Sequence, residues 1–318
     1  MTDVQEPGTP DRGVSGAPSA LAVPPRGDML LMPIVVLAVS TSGPLLAAMA
    51  APALAVAMWR NVFAVVAIGP YALLRHRGEL VRMTGRERRW ALGAGLLLAL
   101  HFATWTPSVR YTSVASAVAI ACTQPVWVAL IAKGMGHHVP RRAWWGIGLA
   151  LISVVVLTGV DFSLEPRALV GDILALLGGV FGALYTVAGA EARRTVSTAS
   201  YTLLCYGTAG FALLVACLVA GLQLVGYSGD TWLKLLALTL GAQLLGHSLY
   251  NRVLRTTSPT VLSLVILFEV PGAAIIAAVF LGQTPPLAAL PAAVLLLVGI
   301  GVVISSRPRD VEPAPPLE

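Results

Sequence analysis

Two stretches decide how this chain folds: RYTSVASAVAIACTQPVWVAL at Arg110–Leu130 and TTSPTVLSLVILFEVPGAAIIAAVFLGQ at Thr256–Gln283. Each holds an apolar run of about 20 residues, enough to cross roughly 30 Å of hydrocarbon as a helix rising about 1.5 Å per residue. Each also carries one polar side chain near its middle, Gln124 or Glu269, followed closely by a proline, Pro125 or Pro271. Two such spans already suggest a membrane protein, and the rest of the chain agrees.

Of the 318 residues, 57% are apolar and 11% charged, and the mean hydropathy is +0.81. A soluble domain carries about 25% charged residues to clothe its surface. This chain cannot clothe a soluble globule of its size. The net charge of +6 does not point to nucleic acid, because the basic residues never gather on one surface of a folded domain. Cys122, Cys205 and Cys217 all sit in apolar runs and read as small buried hydrophobes, not a disulfide framework. The expected class is an all-α membrane protein embedded in a lipid bilayer.

Ten runs are long enough to span: Leu30–Ala50, Ala53–Leu74, Trp90–Val109, Thr112–Ala132, Ala143–Val160, Ala168–Ala190, Ala199–Gly221, Trp232–Leu254, Pro259–Leu281 and Leu287–Ser305. Positive charge marks the cytoplasmic side. Alternate connections carry Arg75, Arg77, Arg82, Arg86, Arg88 and Arg89, then Lys133, Arg141 and Arg142, then Arg193 and Arg194, then Arg252 and Arg255. The intervening connections hold only Arg110 and Arg167. This alternation places both termini in the cytoplasm of a multi-pass protein of the cell membrane. Residues 1–28 and 307–318 lack the apolar surface to fold and read as disordered cytoplasmic tails. No signal peptide precedes the first run, which serves as an uncleaved insertion signal.

Shifting the chain by 146 residues places His101 on His247, Pro125 on Pro271, Gly136 on Gly282 and Pro140 on Pro286. The same shift superposes runs three, four and five on eight, nine and ten. Residues 29–161 and 167–306 therefore read as two five-helix repeats. An odd number of spans forces the second to enter the membrane in the opposite sense. Inverted repeats recur in secondary transporters, whose site lies at mid-membrane between the halves.

The two quoted stretches, together with Trp59–Asn61 in run two and Gly171–Asp172 opening run six, resemble the EamA-type members of the drug/metabolite transporter superfamily over nearly all of Leu30–Ser305. The family pattern has Glu-Pro at mid-helix and Gly-Glu past its end. Here Gln124 stands in the first Glu position, Val270 separates Glu269 from Pro271, and Gln283 replaces the second Glu. The resemblance implies ten transmembrane helices as two inverted five-helix repeats. It also implies a small-molecule substrate such as an amino acid or an amphipathic drug-like cation.

Polar groups at bilayer depth cost several kcal/mol unless they face a partner or a cavity, so each is a candidate site residue. Glu269, the one deep carboxylate, reads as a proton or cationic-substrate site, or as a group satisfied by a neighbouring helix. Gln124 reads as a substrate contact or as its hydrogen-bond partner. Arg60 either meets an anionic substrate group or snorkels outward, and its depth favours snorkelling. Trp59 lines the pathway or joins the interfacial aromatic belt. His101 with Trp105, and His247 with Asn251, are spaced four apart and share helix faces, either as cavity wall or as histidines bonded to backbone. Tyr185 and Gln243 are further wall candidates. Asp172 reads as a helix-start carboxylate favoured by the dipole. Gly178–Gly182, Gly207, Gly210 and Gly241 read as packing glycines. Pro125 and Pro271 read as kinks serving as hinges.

The leading function is a secondary active transporter exporting a small metabolite by alternating access, with protons as the candidate coupling partner. An uptake carrier or facilitator is the nearest alternative. An intramembrane lipid-modifying enzyme would need a metal cluster, a Ser/His pair or paired carboxylates, and no convincing set is present. Spacing gives no metal site and no cofactor. No phosphate-binding loop points to ATP as the direct driver.

Overall fold

A computed structural model describes residues 25–112, 114–158, 165–281 and 289–306. Among these the regular elements are all helical. The first half contains α1 (Arg26–Met29), α2 (Met32–Ser40), α3 (Ser42–Ala47), α4 (Ala53–Arg75), α5 (Arg77–Arg82), α6 (Gly85–Tyr111), α7 (Val114–Ala121), α8 (Gln124–Gly134) and α9 (Arg141–Thr158). The second contains α10 (Pro166–Arg193), α11 (Thr198–Val219), α12 (Gly229–Leu238), a π-helical segment (Thr239–His247), α13 (Ser248–Val253), α14 (Pro259–Ile266), α15 (Glu269–Leu281) and α16 (Ala289–Ser305). Helical segments fall in each of the ten apolar intervals. Arg26–Ala47, Ala53–Arg75, Gly85–Tyr111, Pro166–Arg193 and Thr198–Val219 are by themselves long and apolar enough to cross a membrane. Most of both tails, with Gly282 and Pro286 of the repeat comparison and Gln283 of the family pattern, lie outside the described residues.

Local chemistry sets several helix starts. Thr84 and Glu87 form a reciprocal capping box at α6, satisfying two otherwise orphan N–H groups. Ser197, Ser228 and Ser258 accept from the backbone to open α11, α12 and α14.

Helix breaks follow prolines. Proline has no N–H to donate, and its ring clashes with the carbonyl four residues earlier. Those carbonyls belong to Ser40, Ala121 and Leu267, and there α2 gives way to α3, α7 to α8 and α14 to α15. Pro125 and Pro271 were expected to kink continuous spans. Instead each span is interrupted, and the proline sits in the first turn of the following helix. The Thr41 and Thr123 hydroxyls donate at 2.7 and 2.8 Å to the carbonyls three residues back, Ala38 and Ile120. Such side-chain bonds let a broken helix survive away from water. Pro70 and Pro107, by contrast, lie inside uninterrupted helices.

Large apolar side chains point outward: Leu74 is 82% exposed and Val219 85%. Asn61, Gln243 and Asn251 are fully buried. This inversion of the soluble pattern suits lipid outside and a polar interior. The halves pack symmetrically. Helix α4 lies along α11, α8 along α14 and α9 along α16, while the α6–α10 pair is matched by the π segment against α2. Small residues permit the close contacts. A Cβ on Gly146 would lie 2.6 Å from the Gly299 carbonyl, and one on Gly299 would lie 2.8 Å from that of Gly146. Gly207 departs from its expected packing role, since nothing lies within 4 Å of where its Cβ would stand. Asp172 was expected at a helix start. Because α10 begins at Pro166, Asp172 falls in its second turn, beyond the N–H groups a first-turn carboxylate would meet.

Candidate functional site

The interrupted helices, the π segment and the glycine face of α10 surround one internal cavity. Its volume is about 80 Å³. Both halves line it: Arg60, His101, Trp105 and Gln124 come from the first, and Tyr185, His247 and Glu269 from the second. Seven of the nine substrate-binding or coupling candidates named from sequence thus meet around one space.

Gln124 and Glu269 are the first residues of α8 and α15. Each proline break starts a half-helix whose first residue lines the cavity, where the helix dipole favours negative charge. Glu269 makes no ion pair among the described residues. Its backbone carbonyl accepts from the Ser40 hydroxyl at 3.4 Å, tying α15 to the break in the first span. Gln124 is not bonded to Glu269. Its Nε2 donates to Thr186 Oγ1 at 3.1 Å, and that oxygen is 2.8 Å from the Tyr250 hydroxyl.

On α6, one helical turn brings the His101 and Trp105 rings into a stack, 6.1 Å apart and inclined by 6°. His101 Nδ1 donates to the Gly178 carbonyl at 2.8 Å, as a histidine bonded to backbone that also faces the cavity. Gly178 permits this approach, since a Cβ there would sit 2.8 Å from Trp105 Cβ. His247, ending the π segment, meets Phe102 edge-on at 5.6 Å and Tyr185 at 6.2 Å. Wide π turns change which side chains share a face, and they occur often at functional sites.

Four expectations need correction. Arg60 does not snorkel: it is 1% exposed, its Nε donates to Gln243 Oε1 at 2.8 Å, and its guanidinium lies 4.4 Å from the Phe102 ring centroid. The amide and ring beside it hold the head inside. Trp59, on the adjacent position of α4, does not line the cavity. Its Nε1 donates to the Leu224 carbonyl at 2.7 Å, and its ring packs with Phe63 and Trp232. Asn251 sits one layer behind the wall, where its Oδ1 accepts from the Tyr185 hydroxyl at 2.7 Å. Gln243 is likewise fully buried and holds Arg60.

The wall also includes Phe102, Thr186, Tyr250 and Ser263, which sequence reasoning did not select. Hydroxyls and aromatic rings are common in membrane helices, so only adjacency to His101 and Tyr185 could have flagged the first two. Among the described residues no three metal-ligating side chains gather.

A family model described as the EamA-like transporter family matches residues 27–159 and 169–305. An uncharacterized transporter of Synechocystis sp. is 26% identical over 186 residues, covering 56% of this chain and 55% of that protein. The chain thus matches about half the length of this curated relative. A solved structure, described only as the crystal structure of a protein, superposes with a TM-score of 0.70 at 22% identity. It covers 87% of this chain and 96% of that one, a likeness of fold.

Proposed function

The chain belongs to the EamA-like transporter family, and from that premise we propose that this membrane transporter exports a small metabolite across the cell membrane by alternating access, with proton movement coupled through Glu269. The observation that carries the reading is the placement of Gln124 and Glu269 at two half-helix starts on one cavity lined by both repeats. Repeat-related breaks let the ends of each span move while the mid-membrane residues stay near the site. In this reading ten spans with both termini cytoplasmic form two inverted halves, 29–161 and 167–306. Pro125 and Pro271 mark the hinges.

Each opening of the cavity changes the water around Glu269, so its proton can leave on one side and be replaced on the other. A cationic group on the substrate competes with that proton for the same carboxylate, which links the two movements. Glu269→Gln keeps the shape and most hydrogen bonding but cannot titrate. In proteoliposomes the variant should lose flux driven by a pH gradient and keep substrate-for-substrate exchange. Unchanged flux with unchanged pH dependence would make Glu269 structural.

A further inference from the structure

We propose that Arg60 anchors a carboxylate on the transported molecule; this deepens the reading of the cavity as a transport site and rests on it. The guanidinium is gripped along one edge and one face. Nε donates to Gln243 Oε1 at 2.8 Å, and the Phe102 ring lies against the plane at 4.4 Å. Gln243 is locked in turn, its Nε2 donating to Asn61 Oδ1 at 3.2 Å, while Asn61 Nδ2 donates to the Ala57 carbonyl at 2.8 Å. The other edge is open: buried Nη1 and Nη2 have no hydrogen-bond partner among the described residues. Buried polar groups left unpaired are costly, and more so when charged. Here the surroundings hold the unpaired edge in place at the wall of a cavity that also contains Glu269.

The two Nη groups present parallel N–H bonds that match the two oxygens of a carboxylate. A phosphate would call for more positive charge, yet the lining contains no lysine and no second arginine. Glu269 shares the space and repels a second anionic group, so the remainder of the ligand is neutral or cationic. Trp105, Tyr185 and Phe102 favour an apolar or aromatic body of modest size. The substrate class is therefore a monocarboxylate or amino-carboxylate, and a purely cationic molecule leaves Arg60 unmatched.

The test is calorimetric titration of the full chain in lipid nanodiscs with benzoate, its neutral isostere benzamide, and phenyl phosphate. Wild type should bind benzoate about tenfold or more tightly than benzamide, and more tightly than phenyl phosphate. Arg60→Gln should erase the preference for benzoate over benzamide, and Arg60→Lys should keep part of it. Gln243→Glu leaves Arg60 in place but supplies an internal carboxylate, and should also erase the preference. Because the wild-type comparison needs no variant, a misfolded Arg60→Gln does not shield the proposal. Equal binding of benzoate and benzamide, no benzoate binding, tighter phenyl phosphate binding, or an unchanged preference in folded Arg60→Gln would each overturn it. Benzoate preference without carboxylate flux in proteoliposomes would support the anchor and count against the transport reading. Gradient-driven flux of a molecule lacking a carboxylate, with no benzoate binding, would do the reverse.

Discussion

Gly178 and Gly207 look alike in sequence, each a glycine inside a long apolar helix, and the structure gives them opposite sensitivities to alanine. A Cβ at Gly178 would stand 2.8 Å from Trp105 Cβ, 3.2 Å from its Cα and 3.3 Å from its backbone nitrogen. Those atoms belong to the backbone and root of α6, so no rotamer change relieves the contact. At Gly207 nothing lies within 4 Å. Both substitutions gain the ~0.5–1 kcal/mol by which alanine exceeds glycine in a helix interior. Only Gly178→Ala meets an overpacking cost of about 1–3 kcal/mol. The helix term is common to both, so the difference between the variants isolates the clash at about 1–3 kcal/mol. Thermal unfolding of the two purified variants in one detergent measures it: Gly178→Ala should melt below wild type and Gly207→Ala at or above it. Gly178→Ala should also weaken ligand binding, because the contact it breaks positions His101 and Trp105 through the His101–Gly178 hydrogen bond. Equal shifts in the same direction, or a Gly178→Ala protein as stable as Gly207→Ala, would refute the reasoning.

Two further outcomes follow from the surfaces outside the membrane. Burial alone would raise the Glu79 carboxyl, but hydrogen bonds from the Ser197 hydroxyl and backbone, the Ser200 hydroxyl and His76 outweigh it and hold Glu79 below its ordinary value of 4.5. A carboxyl lowered on folding contributes stability that is present above its unfolded pKa and lost as pH falls through the folded one. The melting-temperature gap between wild type and Glu79→Gln should therefore be widest near neutral pH and close in acid, and a gap independent of pH would contradict this. Single cysteines at Arg82 and Ser228, in an otherwise cysteine-free background, should label from opposite faces of the membrane; labelling from the same face would overturn the ten-span arrangement.

How much was legible in the sequence depends on direction within the helix. Hydropathy and the spacing of arginines are one-dimensional signals, so the amino-acid order alone determined the membrane class, the ten helical intervals and the family resemblance. It also picked out Glu269, Gln124, His101, Trp105, His247 and Tyr185, because polar or aromatic groups at depth stand out against an apolar background. The angle at which a side chain leaves its helix was not legible, because neighbouring helices set it. Trp59 and Arg60 are adjacent in sequence, yet Trp59 packs against Phe63 and Trp232 while Arg60 turns into the cavity. Asn251 has the right spacing from His247, but Tyr185 stands in front of it. A proline predicts a lost hydrogen bond, but not whether the helix bends or breaks: Pro107 leaves α6 whole, while Pro125 and Pro271 fall in the first turn of new helices. Tertiary structure decides these cases, because a broken backbone persists in lipid only where a neighbouring group supplies the bond that water cannot.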